Sequence, residues 1–243
     1  MKKQLSGFLL VPLVISMLVP RCLAKDAAAE VLKRQERLTV SLELQFNKKS
    51  PHAIDRVISF LDWGANGYAT GFVVGDGLIV TSYHVVSGEL SAYKKVELGF
   101  SPDEQLDVKV RANGCAAKIL NMDKDADLAL LDVRCSPKQT ETLAFQLSLN
   151  KDDKVLLIAR PHGDSIVRKG TLMGLYSING LEYWSAKLNA RDGFSGSPVY
   201  NERAELVGVM SGYDPSRKLA LISPGIRLQK LLEAYLPHPK ASK

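Results

Sequence analysis

The sequence has few of the residues from which metal sites and disulfide frameworks are built: it holds three cysteines and four histidines among 243 residues. Three cysteines are too few for a small disulfide-dense scaffold, and no spacing among His, Cys, Asp and Glu matches a metal site. Internal repeats and low-complexity tracts are also lacking. With 46% hydrophobic and 24% charged residues, the chain has the composition of a globular protein, and we expect it to need no metal or other cofactor.

Long apolar runs are lacking apart from one of about 14 residues, from Gly7 to Pro20, which is shorter than the ~20 residues of a membrane-spanning helix. It follows a basic start and precedes Cys22-Leu23-Ala24, which offers small residues at the two positions that matter for signal cleavage. We therefore predict a signal peptide over residues 1–24, a secreted or periplasmic protein and no stable membrane insertion after cleavage. An uncleaved anchor is the alternative.

Extended basic tracts are absent too. Removing residues 1–24 takes away three basic residues and no acidic one, which lowers the formal net charge from +6 to +3. Pairs such as Lys48-Lys49 and Lys94-Lys95 are short and lack interleaved aromatic residues. We expect no nucleic-acid partner, and the sequence does not indicate the oligomeric state.

Cys115 and Cys135 remain after loss of the predicted signal peptide. Two predicted strands, Ala116 to Asn121 and Leu128 to Val133, flank a polar turn, so a hairpin there would bring both thiols to neighbouring strand ends. An oxidising compartment favours their pairing. Two separate buried thiols are the alternative.

Short runs of Val, Ile, Leu and aromatic residues, separated by turn residues, fill most of the chain and predict an all-β protein. Helices are predicted only at the two ends, over Ala27 to Arg37 and after a Ser223-Pro224 cap, where apolar residues recur at helical spacing up to Tyr235. Residues 25–51 are predicted to be an N-terminal extension, 52–238 the main domain and 239–243 a tail. The extension includes an alternating strand over Thr39 to Phe46, and the strands of the main domain include Val57 to Leu61 and Val96 to Phe100.

Three segments carry residues suited to catalysis. In Gly71 to Val86, two strands joined by a glycine turn lead to His84; in Asp123 to Leu131, Asp127 opens an apolar strand; in Asp192 to Val199, Ser195 lies in a turn bracketed by glycines. Taken alone, each fits an ordinary structural role. Together, the order His, Asp, Ser is that of one of the three unrelated folds that build a catalytic triad.

These segments resemble the trypsin-like peptidases, and within them the HtrA/Deg group, over roughly Tyr68 to Leu236. The resemblance implies two six-stranded antiparallel β-barrels of the chymotrypsin-like kind followed by a C-terminal α-helix. It also implies His84 as general base, Asp127 as its orienting partner and Ser195 as nucleophile, with the backbone N–H groups of Gly193 and Ser195 forming the oxyanion hole.

The sequence departs from that family at three points. Phe194 stands where digestive and clotting members carry an aspartate that captures a new N-terminus, so we expect that activation switch to be absent. Ser197 replaces a glycine that is usual in the class. Because the chain ends at Lys243, shortly after the last predicted helix, we expect no PDZ domain.

The resemblance also implies where a substrate would bind. It places a wall of the specificity pocket near Lys187 to Asp192, with Asn189 at its base, and a substrate-pairing edge at Ser211-Gly212-Tyr213. Small or medium apolar side chains before the cut are expected.

The leading hypothesis is a serine endopeptidase that acts on proteins or peptides through an acyl-enzyme on Ser195. Two alternatives remain: a catalytically silent module of the same fold that binds peptides by strand addition, and an ester hydrolase with the same acyl-transfer residues.

Overall fold

A computed structural model describes residues 19–49, 66–138, 143–178 and 180–235, with side chains from residue 28 onward. Most of the predicted signal peptide, the predicted strand Val57 to Leu61 and the predicted tail 239–243 lie outside the described residues. Within those ranges, no helix combines the length and the apolar character that a bilayer crossing requires.

The first half of the chain forms a seven-stranded antiparallel sheet in the order β5-β4-β1-β2-β3-β7-β6. Its two edge strands follow each other directly in the chain, and the amide of Ala117 between them donates to the carbonyl of Val110 at 2.9 Å, so the sheet curls round on itself. The strands are β1 (Thr39–Lys48), β2 (Gly67–Gly75), β3 (Leu78–Thr81), β4 (Leu106–Ala112), β5 (Cys115–Ala116), β6 (Lys118–Asp123) and β7 (Leu128–Asp132).

The second half forms a closed six-stranded antiparallel barrel in the order β10-β13-β12-β11-β8-β9. Alternation of buried and exposed residues is weakest in β12, where six consecutive residues are buried, because this strand contacts apolar side chains on both faces. The strands are β8 (Lys154–Ala159), β9 (Ile166–Ile178), β10 (Leu181–Lys187), β11 (Pro198–Asn201), β12 (Leu206–Asp214) and β13 (Leu219–Pro224).

The predicted all-β class, with two barrel-like units and a C-terminal helix, is confirmed. One detail differs, because the first unit is a curled seven-stranded sheet and only the second is a closed six-stranded barrel. The predicted strand in the N-terminal extension is β1, which pairs with β2 on one side and β4 on the other. That part of the extension therefore belongs to the core of the first sheet.

The helices among the described residues are α1 (Val19–Leu38), α2 (Tyr83–Ser87), α3 (Ala92–Glu97) and α4 (Gly225–Leu232). The predicted strand Val96 to Phe100 is wrong, because α3 ends at Glu97 and is followed by a turn at Leu98 and Gly99. Ser91 caps α3 by accepting a hydrogen bond from the amide of Lys94 at 3.2 Å. The predicted cap at Ser223 is also wrong. The N-cap of α4 is Pro224, while the Ser223 hydroxyl donates to the carbonyl of Ala126 at 2.6 Å.

Apolar clusters hold the described chain together, one inside each unit and one between them. The cluster between the units joins Phe72 and Leu128 of the first sheet to Tyr200 of the barrel and Leu228 of α4. On the first sheet, Cys115 and Cys135 form the predicted disulfide, with Cα atoms 6.0 Å apart. The three candidate catalytic residues lie where the two units meet.

Candidate active site

His84 lies in α2, directly after strand β3. Ser82 precedes this short helix in an extended conformation, and its buried hydroxyl donates to the carbonyl of Met210 on β12 at 2.9 Å. The backbone amide of His84 donates to Oδ1 of Asp127 at 2.9 Å. The imidazole is therefore held between the two units, with 39% of its side chain exposed.

Asp127 lies in the turn between β6 and β7 and is buried. The carboxylate of Asp123 fixes this turn by accepting the amide of Ala126 at 2.8 Å. Asp127 has a left-handed φ of +51°, a conformation that aspartate adopts more readily than most residues. Its Oδ2 lies 2.9 Å from Nδ1 of His84 and also accepts a hydrogen bond from the hydroxyl of Ser211.

Ser195 is the second residue of the second of two consecutive tight turns. The amide of Phe194 donates to the carbonyl of Arg191 at 3.2 Å, and the amide of Ser197 donates to the carbonyl of Phe194 at 3.0 Å. Gly193 and Gly196 occupy the third positions of these turns, with φ of +85° and +82°. A type II turn requires such a positive φ at this position. The Ser195 hydroxyl lies 2.9 Å from Nε2 of His84.

Two backbone donors flank this hydroxyl. The N–H groups of Gly193 and Ser195 make no hydrogen bond within the part of the chain that the structure describes. A Cβ at Gly193 would lie 2.5 Å from the Cβ of Pro161, so only glycine fits there on both steric and conformational grounds. The two amides are free to bind a developing oxyanion beside the Ser195 hydroxyl.

Phe194, between these two donors, points into the barrel and is fully buried. It packs in the barrel cluster that contains Leu188 and Met210, and the guanidinium of Arg191 lies 5.8 Å from its ring. The turn is thus anchored by apolar burial. The Ser197 hydroxyl is also buried and has no hydrogen-bond partner among the described residues.

The residues predicted to bind substrate fall into two groups. Gly212 and Tyr213 lie on β12 and pair with Leu221 and Ala220 of β13. Strand β11 pairs with β12 only as far as Val209, so along the described strands the other edge of this segment is open. Asn189 is exposed and does not line the cleft beside Ser195, so its predicted place at a pocket base stays a prediction.

The Ser211 hydroxyl has a second role that sequence reasoning missed. The resemblance places Ser211 on the substrate-pairing edge, whereas its side chain is buried and donates to Asp127. No local pattern indicates this contact, because the two residues are separated by 84 positions in the chain.

A cleft of about 500 Å³ opens next to the triad and is lined by His84, Gly193 and Ser195. Its remaining wall is largely apolar, with Leu44, Phe46, Leu90 and Leu98 among the lining residues.

An ion pair spans the cleft. Nζ of Lys94 on α3 lies 3.2 Å from Asp192 of the turn before Ser195 and 3.0 Å from Glu97. The hydrogen bond to Glu97, more than the one to Asp192, raises the pKa of Lys94. The cleft is therefore an apolar groove with a charged rim. Because His84 and the segment that follows it, including Leu90 and Leu98, line the groove, it extends from Ser195 toward the His84 side.

Comparison with known proteins identifies a family and several relatives. A model of the trypsin-like peptidase domain matches residues 69–209, more than half of the chain. The magnetosome formation protease MamE of Magnetospirillum gryphiswaldense is 29% identical over 185 residues, which are 70% of this chain and 22% of that protein. MamE of Paramagnetospirillum magneticum is 29% identical over 161 residues, 62% of this chain and 21% of its own length. The chain spans about a fifth of the length of these relatives.

Solved structures show the same fold at lower sequence identity. The active form of the Rv3671c protease from M. tuberculosis superposes with a TM-score of 0.59 at 16% identity, covering 98% of this chain and 96% of that one. Deg5 superposes with a TM-score of 0.56 at 18% identity, covering 85% of this chain and 92% of its own.

Proposed function

Because this chain belongs to the trypsin-like peptidase family, we propose that it is a serine endopeptidase that cleaves peptide bonds through an acyl-enzyme on Ser195. One observation carries the proposal: an unbroken series of hydrogen bonds runs from the Ser195 hydroxyl through His84 to Asp127. A serine hydroxyl is a weak nucleophile until a neighbouring base removes its proton. The imidazole at 2.9 Å is in position to do so.

In the first half of the reaction, Oγ of Ser195 attacks the substrate carbonyl while its proton passes to Nε2 of His84. The carbonyl oxygen becomes an oxyanion, which the N–H groups of Gly193 and Ser195 stabilise. The carbonyl then reforms as the C–N bond breaks, and Nε2 returns the proton to the departing amine. The C-terminal fragment leaves with this amine as its new amino terminus, and the N-terminal part of the substrate remains as an acyl group on Ser195.

In the second half, water replaces the amine. Nε2 of His84 takes a proton from the water as its oxygen attacks the ester, and then returns that proton to Oγ of Ser195 as the acyl group leaves. Asp127 keeps a proton on Nδ1 and stabilises the imidazolium that forms twice in each cycle. The Ser211 hydroxyl and the amide of His84 fix the carboxylate for this role.

The substrate lies across the site in a direction that this proton transfer dictates. The leaving amine must be on the His84 side of Ser195, since Nε2 donates its proton. The apolar cleft is on that side and receives residues after the scissile bond. Residues before it pair with the open edge of β12 at Gly212 and Tyr213.

We further propose export from the cytoplasm. The N-terminal sequence has the pattern of a cleaved signal peptide, and a Cys115–Cys135 disulfide suits an oxidising compartment. N-terminal sequencing of the protein from fractionated cells tests this: Lys25 as the first residue of a secreted or periplasmic form supports it, and an intact N-terminus in the cytoplasm contradicts it.

Labelling with a fluorophosphonate probe tests the catalytic proposal, because the probe reacts only with an activated serine. Wild-type protein should be labelled, Ser195→Ala should not, and His84→Ala should be labelled at least about 10³-fold more slowly. Ser197→Ala is the matched control, since it removes a buried hydroxyl two residues away and should label normally. A folded wild-type protein that stays unlabelled, or label retained in Ser195→Ala, contradicts the proposal.

A further inference from the structure

Thr70 of β2 holds both residues whose amides would form the oxyanion hole. Its hydroxyl donates to the carbonyl of Gly193 at 2.8 Å, and its amide donates to the carbonyl of Ser195 at 3.0 Å. Its own carbonyl accepts the hydroxyl of Thr81 at 2.8 Å. Thr70 is completely buried, so its own donor and acceptor atoms are shielded from water.

The Thr70 hydroxyl is itself fixed by a residue of the closed barrel unit. It accepts the backbone amide of Arg160 at 3.0 Å, at the start of a turn whose next residue, Pro161, lies against Gly193. The hydroxyl of Ser41 on β1 donates to the carbonyl of Pro161 at 3.0 Å. Two strands of the first sheet therefore fasten the turn that supports Gly193.

The Arg160 side chain extends this support to the N-terminal helix. Its guanidinium donates to the carbonyl of Gly163 at 2.6 Å and to that of Glu36 at 3.1 Å. Glu36 lies in the last turn of α1, where carbonyls lack helical partners and a cation is favourable. The same end of α1 is fixed to the barrel by a 3.2 Å hydrogen bond from the Tyr200 hydroxyl to Gln35.

We propose that Thr70 and Arg160 are positioning residues for the oxyanion hole, and that they connect it to α1. This inference rests on the proposed peptidase function. Phe194 supplies no charge to pair with a new N-terminus, so the Gly193–Ser195 turn needs another polar anchor. The Thr70 hydroxyl provides it by donating to Gly193 and accepting from Arg160 at the same time, and α1 holds Arg160 in place.

Kinetics of Thr70→Val, with Thr70→Ser as the conservative variant, test the role of the hydroxyl. Valine matches threonine in shape but has no donor, whereas serine keeps one. Since misplacing a catalytic group by about 1 Å costs on the order of 10²-fold in rate, kcat on a peptide substrate should fall about 100-fold in Thr70→Val. KM should change by less than about threefold, and Thr70→Ser should recover most of kcat. Ser185→Ala, which removes another buried hydroxyl bonded to a backbone carbonyl, should leave kcat unchanged.

Arg160→Met provides a second variant if Thr70→Val folds poorly, because it keeps the backbone amide and removes the guanidinium, which bonds to Gly163 and to α1. Its kcat should fall about tenfold with KM unchanged. Unchanged kcat in both variants, or a loss in Thr70→Val that serine does not restore, overturns the inference.

A readout without turnover separates this inference from the proposed function. This readout is the NMR spectrum of ¹⁵N-labelled protein. The Gly193 amide should give one sharp resonance in the wild type and in Thr70→Ser. In Thr70→Val it should give two resonances or a single broadened resonance. Unchanged spectra in Thr70→Val overturn the inference even if the wild type cleaves peptides. Altered spectra with an inactive wild type overturn the peptidase proposal alone.

Discussion

Replacing Phe194 with alanine should destabilise the protein and slow catalysis as well. The Phe194 ring is completely buried in the barrel cluster, and emptying such a site costs about 3–5 kcal/mol of unfolding free energy. For a domain of this size, each kcal/mol lowers Tm by about 2–4 °C, so we expect a Tm about 6–20 °C lower. Because Phe194 anchors the turn between the two oxyanion donors, kcat should also fall at temperatures well below Tm.

Leu172→Ala separates the two effects. Leu172 is equally buried in the same cluster but lies on β9, away from the triad, so its loss should lower Tm to a similar extent and leave kcat unchanged. Phe194→Leu keeps most of the volume and should cost only about 1–2 kcal/mol. Denaturant unfolding and kcat measurements on the three variants provide the comparison. A stability loss below about 1 kcal/mol for Phe194→Ala, or equal effects of Phe194→Ala and Leu172→Ala on kcat, would refute the reasoning.

Three further perturbations have defined outcomes. Replacing Cys115 and Cys135 with serine opens a loop with a sequence separation of 20 and should cost about 3 kcal/mol in denaturant unfolding; an unchanged midpoint contradicts this. Leu98→Trp fills the apolar cleft and should raise KM about tenfold for peptides with residues after the scissile bond. KM for peptide p-nitroanilides should not change, because these substrates have no residue after that bond. Equal effects on both substrates would mean that residues after the scissile bond do not bind in this cleft. Burial, the largest influence, raises the pKa of Glu205, yet hydrogen bonds from Asn201 and a neighbouring guanidinium together lower it below its ordinary 4.5. The contribution of the ionised Glu205 side chain to stability is therefore present above about pH 4.5 and is lost as pH falls through its lowered pKa. The Tm values of wild type and Glu205→Gln should therefore converge in acid. A difference in Tm that stays constant with pH contradicts this.

The sequence predicts best where local pattern and chain order agree. The strands that carry His84 and Asp127 are apolar runs ended by turn residues, and the glycines around Ser195 by themselves indicate a tight turn. Each local signal also fits an ordinary structural role, and the chain order His, Asp, Ser is what singles out the three residues. The fold joins them through hydrogen bonds from Ser195 to His84 and from His84 to Asp127.

Contacts between distant segments could not be predicted in this way. The Thr70 hydroxyl meets Gly193 across 123 positions, and nothing in the sequence around Thr70 distinguishes it from any other strand threonine. The misassigned strand over Val96 to Phe100 has a different cause. A short apolar run fits strand and helix equally well, and the Ser91 cap decides for the helix.

Cleavage of an unfolded protein substrate by wild type and by Ser195→Ala is the most direct test that this chain is a serine endopeptidase. Purified wild-type chain and Ser195→Ala, shown by circular dichroism to be equally folded, are incubated with casein, and new N-termini are counted by mass spectrometry. The account predicts cleavage by the wild type that is absent in Ser195→Ala. Cleavage that persists in Ser195→Ala would contradict the account. It would also be contradicted if a folded wild type neither cleaves casein nor reacts with the fluorophosphonate probe.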